Sequence, residues 1–281
     1  MVDDPSIPSA ADPVDDLADH ADATRPNAAR MYDYMLGGSA NFAADREAAD
    51  RMMAAGGSST APARLNRSFL RRAVRFMIEQ GVDQFLDLGS GIPTAGNVHE
   101  IAQAVDPTAQ VVYVDNEPVA VHHARRLLAG NDRAVMIDAD LREVDAVLGH
   151  PDTRRLIDFS RPVGLLMVAI FHFVPDTDRP TDIVARYLRA LTGGGYLAMS
   201  HFTDNGLGKA RQAATLYRST STPVLTRSRE QFAMLLSGTT LVEPGLVWTS
   251  EWRPDGGDPA LATPADSRIY AAVGQVEHLT V

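Results

Sequence analysis

Short apolar runs alternate with amphipathic stretches through the middle of the chain, between Gln84 and Ser200. The runs are four to six residues long, as is usual for strands, and the stretches between them carry apolar residues at helical spacing. One run, Val163–Val168, is apolar throughout, which is typical of a central parallel strand covered on both faces. The predicted strands are Gln84–Leu88, Gln110–Val114, Ala134–Ile137, Val163–Val168 and Tyr196–Ser200, and the predicted helices between them are Ala95–Val105, Pro118–Ala129, Arg142–Leu148 and Thr181–Leu191.

The chain before this region has the apolar period of helices. A first helix is predicted from Pro26 to the pair Gly37-Gly38, because proline suits a first helical turn and glycine ends a helix. A second helix is predicted over Asp45–Ala55, and a third begins after Pro62. The apolar positions of the third helix form one stripe, which predicts a buried face: Leu65, Phe69, Ala73, Phe76 and Met77.

After the alternating region the pattern changes again. Helical stretches near Gly208–Arg218 and Arg229–Leu236 precede two strand-like runs, Thr240–Trp248 and Ser267–Val276. Only a loop joins these two runs, so we predict that they pair antiparallel. The predicted fold is therefore α/β and Rossmann-like, with a seven-stranded, mostly parallel sheet, an antiparallel C-terminal edge and a helical N-terminal extension.

The first residues differ from the rest in composition. Seven of the 36 acidic residues are aspartates that precede Arg25, and no lysine or arginine occurs among them. Such a segment has too few large apolar side chains to offset its ordering entropy. We therefore divide the 281 residues into an acidic, disordered tail (residues 1–24), a helical extension or lid (25–80) and the α/β domain (81–281).

Composition excludes several function classes. The chain has no cysteine, so disulfides, thiolate metal sites and cysteine nucleophiles are excluded, and no metal site is predicted. The net charge of −10 argues against nucleic acid as a partner, although the tail carries much of that charge. No apolar run reaches the ~18 residues of a membrane span, and the first residues lack the pattern of a secretory signal. We expect a cytoplasmic protein without a membrane anchor.

Candidate chemistry is concentrated where the predicted strands end. The first strand ends at Asp87-Leu88 and is followed by Gly89-Ser90-Gly91, which predicts a tight turn whose backbone N–H groups can meet a ligand. Asp87 would hold a ligand's ammonium through water or brace this loop. The second strand leads to Asp115, the position at which a carboxylate typically accepts from ribose hydroxyls.

A third acid, Asp138 or Asp140, follows the third strand. Asp140 would accept from an exocyclic adenine amine, with the N–H of Leu141 addressing the ring. Strand-end aspartates are also common as turn and cap residues, and that alternative stays open for each of them.

These features resemble those of class I S-adenosylmethionine-dependent methyltransferases over Phe85 to Val276. More narrowly, the chain resembles a bacterial family of S-adenosyl methyltransferases whose members mostly lack a known substrate. The narrower resemblance rests on Ala29-Arg30-Met31-Tyr32-Asp33-Tyr34-Met35-Leu36-Gly37-Gly38, Asn66-Arg67-Ser68-Phe69-Leu70, Asp87-Leu88-Gly89-Ser90-Gly91-Ile92-Pro93-Thr94, Asn97-Val98-His99-Glu100, Val112-Tyr113-Val114-Asp115 and Phe171-His172-Phe173-Val174-Pro175-Asp176.

The resemblance implies S-adenosylmethionine as the cofactor. It implies that Gly89 and Gly91 face the methionine part, Asp115 the ribose and Asp140 the adenine. The complete predicted cofactor site comprises Tyr32, Gly37, Asp87, Gly89, Ser90, Gly91, Thr94, Asp115, Asn116, Asp140, Leu141 and Ala169.

The loop departs from the usual pattern, because Pro93-Thr94 stands where a third glycine is expected. Proline fixes φ and removes a donor, so the loop must be shaped differently. Thr94 is predicted to cap the next helix or to meet the amino-acid end of the cofactor.

The segment after the fourth strand, Ala169-Ile170-Phe171-His172-Phe173, lacks the arrangement of DNA adenine and glutamine N-methylases. We therefore expect a small-molecule acceptor, with a peptide as the other possibility. The acceptor's identity and the oligomeric state do not follow from the sequence.

Two histidines are candidates for proton transfer. His172 and His201 are predicted to lie just past the fourth and fifth strands, where either can act as a general base. The alternative for each is a buried histidine with a structural role. In the extension, Tyr32 or Tyr34 would contact the ligand under a lid, or the segment would only cover the sheet edge.

An arginine stripe on the third helix is either a solvated face or a site for the acidic tail or an anionic substrate: Arg64, Arg67, Arg71 and Arg75. Two other functions stay open. One is a protein that binds S-adenosylmethionine or S-adenosylhomocysteine without catalysis. The other is an NAD(P)-dependent oxidoreductase, since two glycines and a strand-end acid occur there as well.

Overall fold

A computed structural model describes residues 21–56, 60–93, 96–203, 220–258 and 263–278. The helices are α1 (Ala28–Met35), α2 (Ala43–Gly56), α3 (Ala61–Glu79), α4 (Val98–Val105), α5 (Pro118–Leu127), α6 (Val144–Gly149), α7 (Pro151–Leu156), α8 (Pro180–Ala190) and α9 (Arg229–Leu235). The strands are β1 (Gln84–Leu88), β2 (Gln110–Asp115), β3 (Ala134–Asp138), β4 (Val163–Val168), β5 (Gly195–Phe202), β6 (Thr240–Leu241), β7 (Val247–Trp248) and β8 (Ile269–Val276). Three 3₁₀ turns cover Phe171–Phe173, Asp176–Asp178 and Pro264–Ser267.

The strands form one sheet in the order β3-β2-β1-β4-β5-β8-β6, and β7 also pairs with β8. The first five strands are parallel, whereas β8 runs antiparallel to β5 from Gly195↔Val276 to Phe202↔Ile269. The predicted α/β fold with an antiparallel C-terminal edge is confirmed. The described sheet has eight strands instead of seven, because the run Thr240–Trp248 is divided by a turn in which Gly245 N–H donates to Val242 O.

The strand order reverses between β1 and β4, and this reversal creates the place where a ligand can bind. Connections from β1 and β4 leave the sheet in opposite directions, so a crevice opens beyond the carboxyl ends of these strands. The residues that follow β1, β2, β3 and β4 all reach the edge of this crevice. The fold thereby brings the strand-end acids of the sequence to one side of the sheet.

The core consists of two apolar layers, one on each face of the sheet. The predicted stripe of α3 is confirmed, since all five of its residues are at most 8% exposed, and Phe69, Phe76 and Met77 pack in the layer that contains Phe85 and Val111. This packing fixes α3 against the central strands.

The extension is held to the sheet by a buried ion pair network. In α1, Arg30 donates to Asp45 Oδ2 at 2.8 Å and to Glu117 Oε1 at 2.7 Å, and all three side chains are buried. Glu117 also caps α5 by accepting from Ala120 N–H. A single guanidinium therefore joins the N-terminal helices to the loop after β2.

The predicted helix over Arg142–Leu148 is displaced and followed by a second short helix, α7, that was not predicted. Pro151 begins α7 and the His150 side chain caps it, so a local signal was present. The predicted helix near Gly208–Arg218 and the acidic tail before Ala21 lie outside the described residues. No helix within the described ranges combines the length and hydropathy that crossing a membrane requires.

Candidate active-site cavity

A cavity of about 490 Å³ lies beyond the carboxyl ends of β1, β2, β4 and β5. Its floor is the glycine loop after β1 and the strand ends. Its cover comes from α1, α2 and α3 and from the segment of residues 220–224. The predicted residues that line it are Tyr32, Asp87, Gly89, Ser90, Gly91, Asp115, Asn116, Asp140, Leu141, Ala169 and His172.

The two loop glycines serve different purposes. Both have positive φ, +70° at Gly89 and +67° at Gly91. A Cβ on Gly89 would lie 2.2 Å from Ile170 Cγ1, so this glycine makes room for the protein's own side chain. A Cβ on Gly91 would meet no atom of the described residues within 4 Å. Gly91 is therefore the position where the loop leaves open space in the cavity.

Hydrogen bonds hold this loop against β2. The N–H groups of Gly89 and Ser90 donate to Val114 O, and Gly91 N–H donates to Asp115 Oδ2 at 2.7 Å. The Oγ of Ser90 is buried and has no hydrogen-bond partner among the residues that the structure describes. A buried hydroxyl without a partner is costly, which indicates a place for a polar ligand group.

Asp87 and Arg67 bring opposite charges to the loop. Asp87 is 5% exposed, and its burial raises its pKa to about 7, although the positive charge of Arg67 acts in the opposite direction. Arg67, on α3, also lines the cavity and donates to Gly96 O at 3.0 Å. A carboxyl and a guanidinium thus face the same part of the cavity.

Asp115 stands at the end of β2 with its carboxylate already oriented. Its Oδ1 accepts from Glu117 N–H at 2.9 Å, while Oδ2 accepts from Gly91 N–H. Burial raises its pKa, and the backbone donors lower it only in part.

Asp140, not Asp138, is the acid from the third strand that lines the cavity. Burial by itself would raise the pKa of Asp140. The hydrogen bonds from the Arg142 side chain and backbone together have the larger effect, so the pKa of Asp140 is lowered. Arg142 also donates to Asp178 Oδ2 at 2.8 Å. Leu141 is held from below, because Tyr187 Oη donates to its carbonyl.

The two histidines have different surroundings. His201 lies within β5, which continues to Phe202, and it is not part of the cavity lining. Its Nδ1 is 2.7 Å from Phe202 O and its Nε2 is 2.9 Å from Arg227 Nη1, so Nδ1 carries the proton and Nε2 accepts from the guanidinium. Burial lowers its pKa to about 3. These contacts disagree with the prediction of His201 as a general base.

His172 lines the cavity from the 3₁₀ turn after β4. Its Nδ1 faces Phe202 N–H at 3.4 Å, so in this arrangement Nε2 carries the proton. Burial and the neighbouring His201 and Arg227 lower its pKa well below the usual value, and the ring is neutral at pH 7. With the proton on Nε2, a neutral His172 can donate one hydrogen bond from this nitrogen.

Comparisons with known proteins agree with this architecture. The sequence profile described as "S-adenosyl methyltransferase" matches residues 15–277. The chain belongs to the S-adenosyl methyltransferase family. Its cofactor is S-adenosylmethionine. No protein with a curated description matches the chain significantly.

Two crystal structures of similar proteins cover almost the whole chain. A candidate methyltransferase from Thermobifida fusca is 39% identical, with a TM-score of 0.85 over 91% of this chain and 97% of that one. A DUF574 family protein from Streptomyces avermitilis is 37% identical, with a TM-score of 0.87 over 91% and 99%. Membership in this family argues against the NAD(P)-dependent alternative.

The cavity fits the family's cofactor at three points. The open side of Gly91 and the partnerless Ser90 hydroxyl lie at the glycine loop, where the methionine part is expected. Asp87 and Arg67 match the opposite charges of an amino-acid end. A third fit is the oriented carboxylate of Asp115, a suitable acceptor for two ribose hydroxyls.

Several predicted residues lie elsewhere, and some lining residues were not predicted. Gly37 follows α1 with φ of +86° and does not line the cavity. Tyr34 does not line it either, and its hydroxyl donates to Asp50. Thr94 lies outside the described residues. Sequence reasoning missed Asn66 as a site residue, although it belongs to a quoted motif, and it gave no signal for Ile170, Arg268 and Ile269. No group of three or more His, Asp or Glu side chains in the described ranges is arranged to hold a metal ion.

Proposed function

We propose that this protein transfers a methyl group from S-adenosylmethionine to an oxygen or nitrogen atom of a small molecule. The observation that carries the proposal is the continuity of the cavity. It extends from the glycine loop and the acids after β1, β2 and β3, past the reversal of strand order, to an apolar region under the extension. An acceptor in that region would lie beside the cofactor.

In this proposal the chain's residues hold the cofactor by charge and by hydrogen bonds. Asp87 accepts from its ammonium and Arg67 donates to its carboxylate, while the Ser90 hydroxyl and the Gly91 edge receive the methionine chain. Asp115 accepts from both ribose hydroxyls. Asp140 and the Leu141 N–H address the adenine, and Asn116 flanks the ribose.

The bound cofactor supplies an electrophilic methyl group on a positively charged sulfur. Transfer to a lone pair is an in-line displacement, so alignment and proximity provide most of the acceleration. The apolar lining that covers the acceptor region excludes water from the reacting atoms: Met35, Met52, Met53, Leu70, Phe173, Val174, Phe202, Val224 and Ile269. His172 would orient the acceptor through Nε2–H, and a general-base role requires its other tautomer.

The decisive experiment uses methyl-labelled S-adenosylmethionine with a metabolite extract. The wild-type protein should transfer label to a small molecule and release S-adenosylhomocysteine, and the Asp115→Ala variant should not. Binding of S-adenosylhomocysteine without transfer would favour the non-catalytic alternative. Binding of NAD(P) in place of S-adenosylhomocysteine would refute the proposal altogether.

A further inference from the structure

A chain of hydrogen bonds crosses the cavity wall from the sheet to the extension. Ala169 N–H donates to Ser200 Oγ at 2.9 Å, and Ser200 Oγ donates to Asn66 Oδ1 at 2.6 Å. Asn66 Nδ2 then donates to Tyr32 Oη at 3.0 Å, and Tyr32 Oη donates to Ala63 O at 3.0 Å. Every donor points in the same direction, so the bonds polarise one another.

This chain determines which way the Asn66 amide faces. Ser200 Oγ already accepts from a backbone N–H, so its proton goes to the amide oxygen of Asn66. Tyr32 gives its own proton to a carbonyl, so it must accept from the amide nitrogen. Oxygen and nitrogen of the amide are thereby distinguished by their partners.

One hydrogen of the Asn66 amide nitrogen takes no part in this chain of hydrogen bonds. The nitrogen carries two hydrogens, and within the described part of the chain it donates only one, to Tyr32. The residue is 2% exposed, yet it lines the cavity. A ligand group in the cavity is thus the natural partner for the second N–H, because an unsatisfied buried donor is costly.

The amide lies on the acceptor side of the cavity. Its partner Ser200 pairs in register with Val168 at the end of β4, and Ala169 follows with φ of +58°. Arg268, the other cavity-lining residue in the described ranges that is not glycine and has positive φ, precedes β8 on this same side. Strained backbone of this kind often occurs at functional sites.

Charge on this side favours a ligand rich in electrons. We call acceptor half the lining residues that come from α1, α2, α3 apart from Arg67, the ends of β4, β5 and β8, and residues 221–224. In the described ranges it has no carboxylate, since the acids of the cavity are Asp87, Asp115 and Asp140 after β1, β2 and β3. Its polar and basic lining residues include Asn66, His172 and Arg268.

We infer that Asn66 is a specificity-determining residue whose amide N–H binds an oxygen of a largely apolar acceptor that is anionic or phenolic. Ser200 and Tyr32 are positioning residues that hold the amide. This inference rests on the proposed function. It excludes cationic acceptors such as alkylamines in their protonated form.

The test measures binding of three flat probes that differ in one group to protein saturated with S-adenosylhomocysteine. The probes are cinnamate, cinnamyl alcohol and cinnamylamine, and the method is calorimetry. Wild-type protein should bind cinnamate at least about tenfold more tightly than cinnamylamine, which corresponds to one charge-assisted hydrogen bond. Equal or tighter binding of the amine, or no binding of any probe, would overturn the inference.

Variants then assign the preference to the amide. Asn66→Asp replaces the donor by an acceptor, so cinnamate affinity should fall at least about tenfold while cinnamylamine affinity rises. Asn131→Asp adds the same charge at a residue that bonds Gln103 and Arg133 far from the cavity, and it should leave all three affinities unchanged. An unaltered preference in Asn66→Asp would overturn the role of Asn66.

Two further variants keep the test valid if Asn66→Asp does not fold. Tyr32→Phe and Ser200→Ala each free one end of the amide, so the ratio of cinnamate to cinnamylamine affinity should fall about three- to tenfold. An unchanged ratio in both variants would contradict the role of this chain of hydrogen bonds. Failure of the wild-type protein to bind S-adenosylhomocysteine would remove the proposed function and this inference together, whereas cofactor binding with the wrong probe order removes this inference alone.

Discussion

The two halves of the cavity are built in different ways. The half expected to hold the cofactor takes its acids and loop groups from short segments at strand ends, such as Asp87–Gly91 and Asp115-Asn116, and only Arg67 among its described polar residues comes from a helix. The acceptor half takes Tyr32 and Asn66 from the N-terminal helices and Arg268 from a position more than two hundred residues later in the chain. A cofactor shared by a whole family can be bound by local sequence motifs. The proposed acceptor would instead be bound by side chains that come together only in the folded protein.

The largest expected effect is on stability, at Arg30, which joins the N-terminal helices to the loop after β2. The variant Arg30→Met leaves Asp45 and Glu117 buried without a cation, which should lower the free energy of unfolding by about 3–5 kcal/mol. Denaturant titration would measure it. Arg51→Met, which removes an exposed pair with Glu47, should cost less than ~0.5 kcal/mol. Equal losses in the two variants would contradict a structural role for the Arg30 network.

Removal of the Asp115 carboxylate tests the cofactor half directly. Asp115→Ala should weaken S-adenosylhomocysteine binding roughly hundredfold, because two ribose hydroxyls and the Gly91 N–H lose their acceptor. Isothermal calorimetry measures the change. Asp106→Ala, at an exposed turn, is the matched control with unchanged affinity. A change below threefold at Asp115 would place the ribose elsewhere.

The pH dependence of binding sharpens the assignment of Asp87. Its pKa of about 7 means that the carboxyl of the free protein is protonated at lower pH, while the ammonium of the ligand favours the ionised form. Affinity for S-adenosylhomocysteine should therefore fall up to about tenfold per pH unit below 7. Asp87→Asn should abolish this dependence, and its persistence in that variant would assign it to another group.

The same raised pKa predicts a stability effect of opposite sense. A carboxyl whose pKa is higher in the folded protein binds more protons there, so its destabilising effect appears as pH rises from about 4 to 7 and persists above. Without ligand, Asp87→Asn should therefore be more stable than the wild type at pH 8, by on the order of 1–3 kcal/mol. Thermal melts at pH 5 and pH 8 test this, since the gain should shrink at the lower pH.

The smallest effect is expected at His172. Its lowered pKa keeps the ring neutral at pH 7, so turnover should show no inflection from this residue near neutral pH. His172→Gln, which keeps a hydrogen-bond donor, should lower turnover less than about tenfold without altering the pH profile. A wild-type inflection near pH 6.5 that disappears in His172→Gln would instead support a general base.

How far prediction from sequence succeeded depends on how local the signal is. The strands, the α3 stripe and the antiparallel C-terminal edge follow from hydrophobic period and loop length, and these were correct. The end of β5 was placed two residues early, at Ser200 instead of Phe202. Because the strand is longer than predicted, His201 lies within it and not in the crevice. There its Nε2 accepts from Arg227, which lies 26 residues later in the chain.

By itself the sequence determined the α/β fold and the series of acids that end strands β1 to β3, because side-chain period and turn chemistry act between near neighbours. The tertiary structure alone decided that Gly89 accommodates Ile170 while Gly91 faces open space, and that Asn66 joins Ser200 to Tyr32. Such contacts depend on which elements pack together. The hydrogen-bond partners of Asn66 and the open space beside Gly91 are formed only when the chain folds.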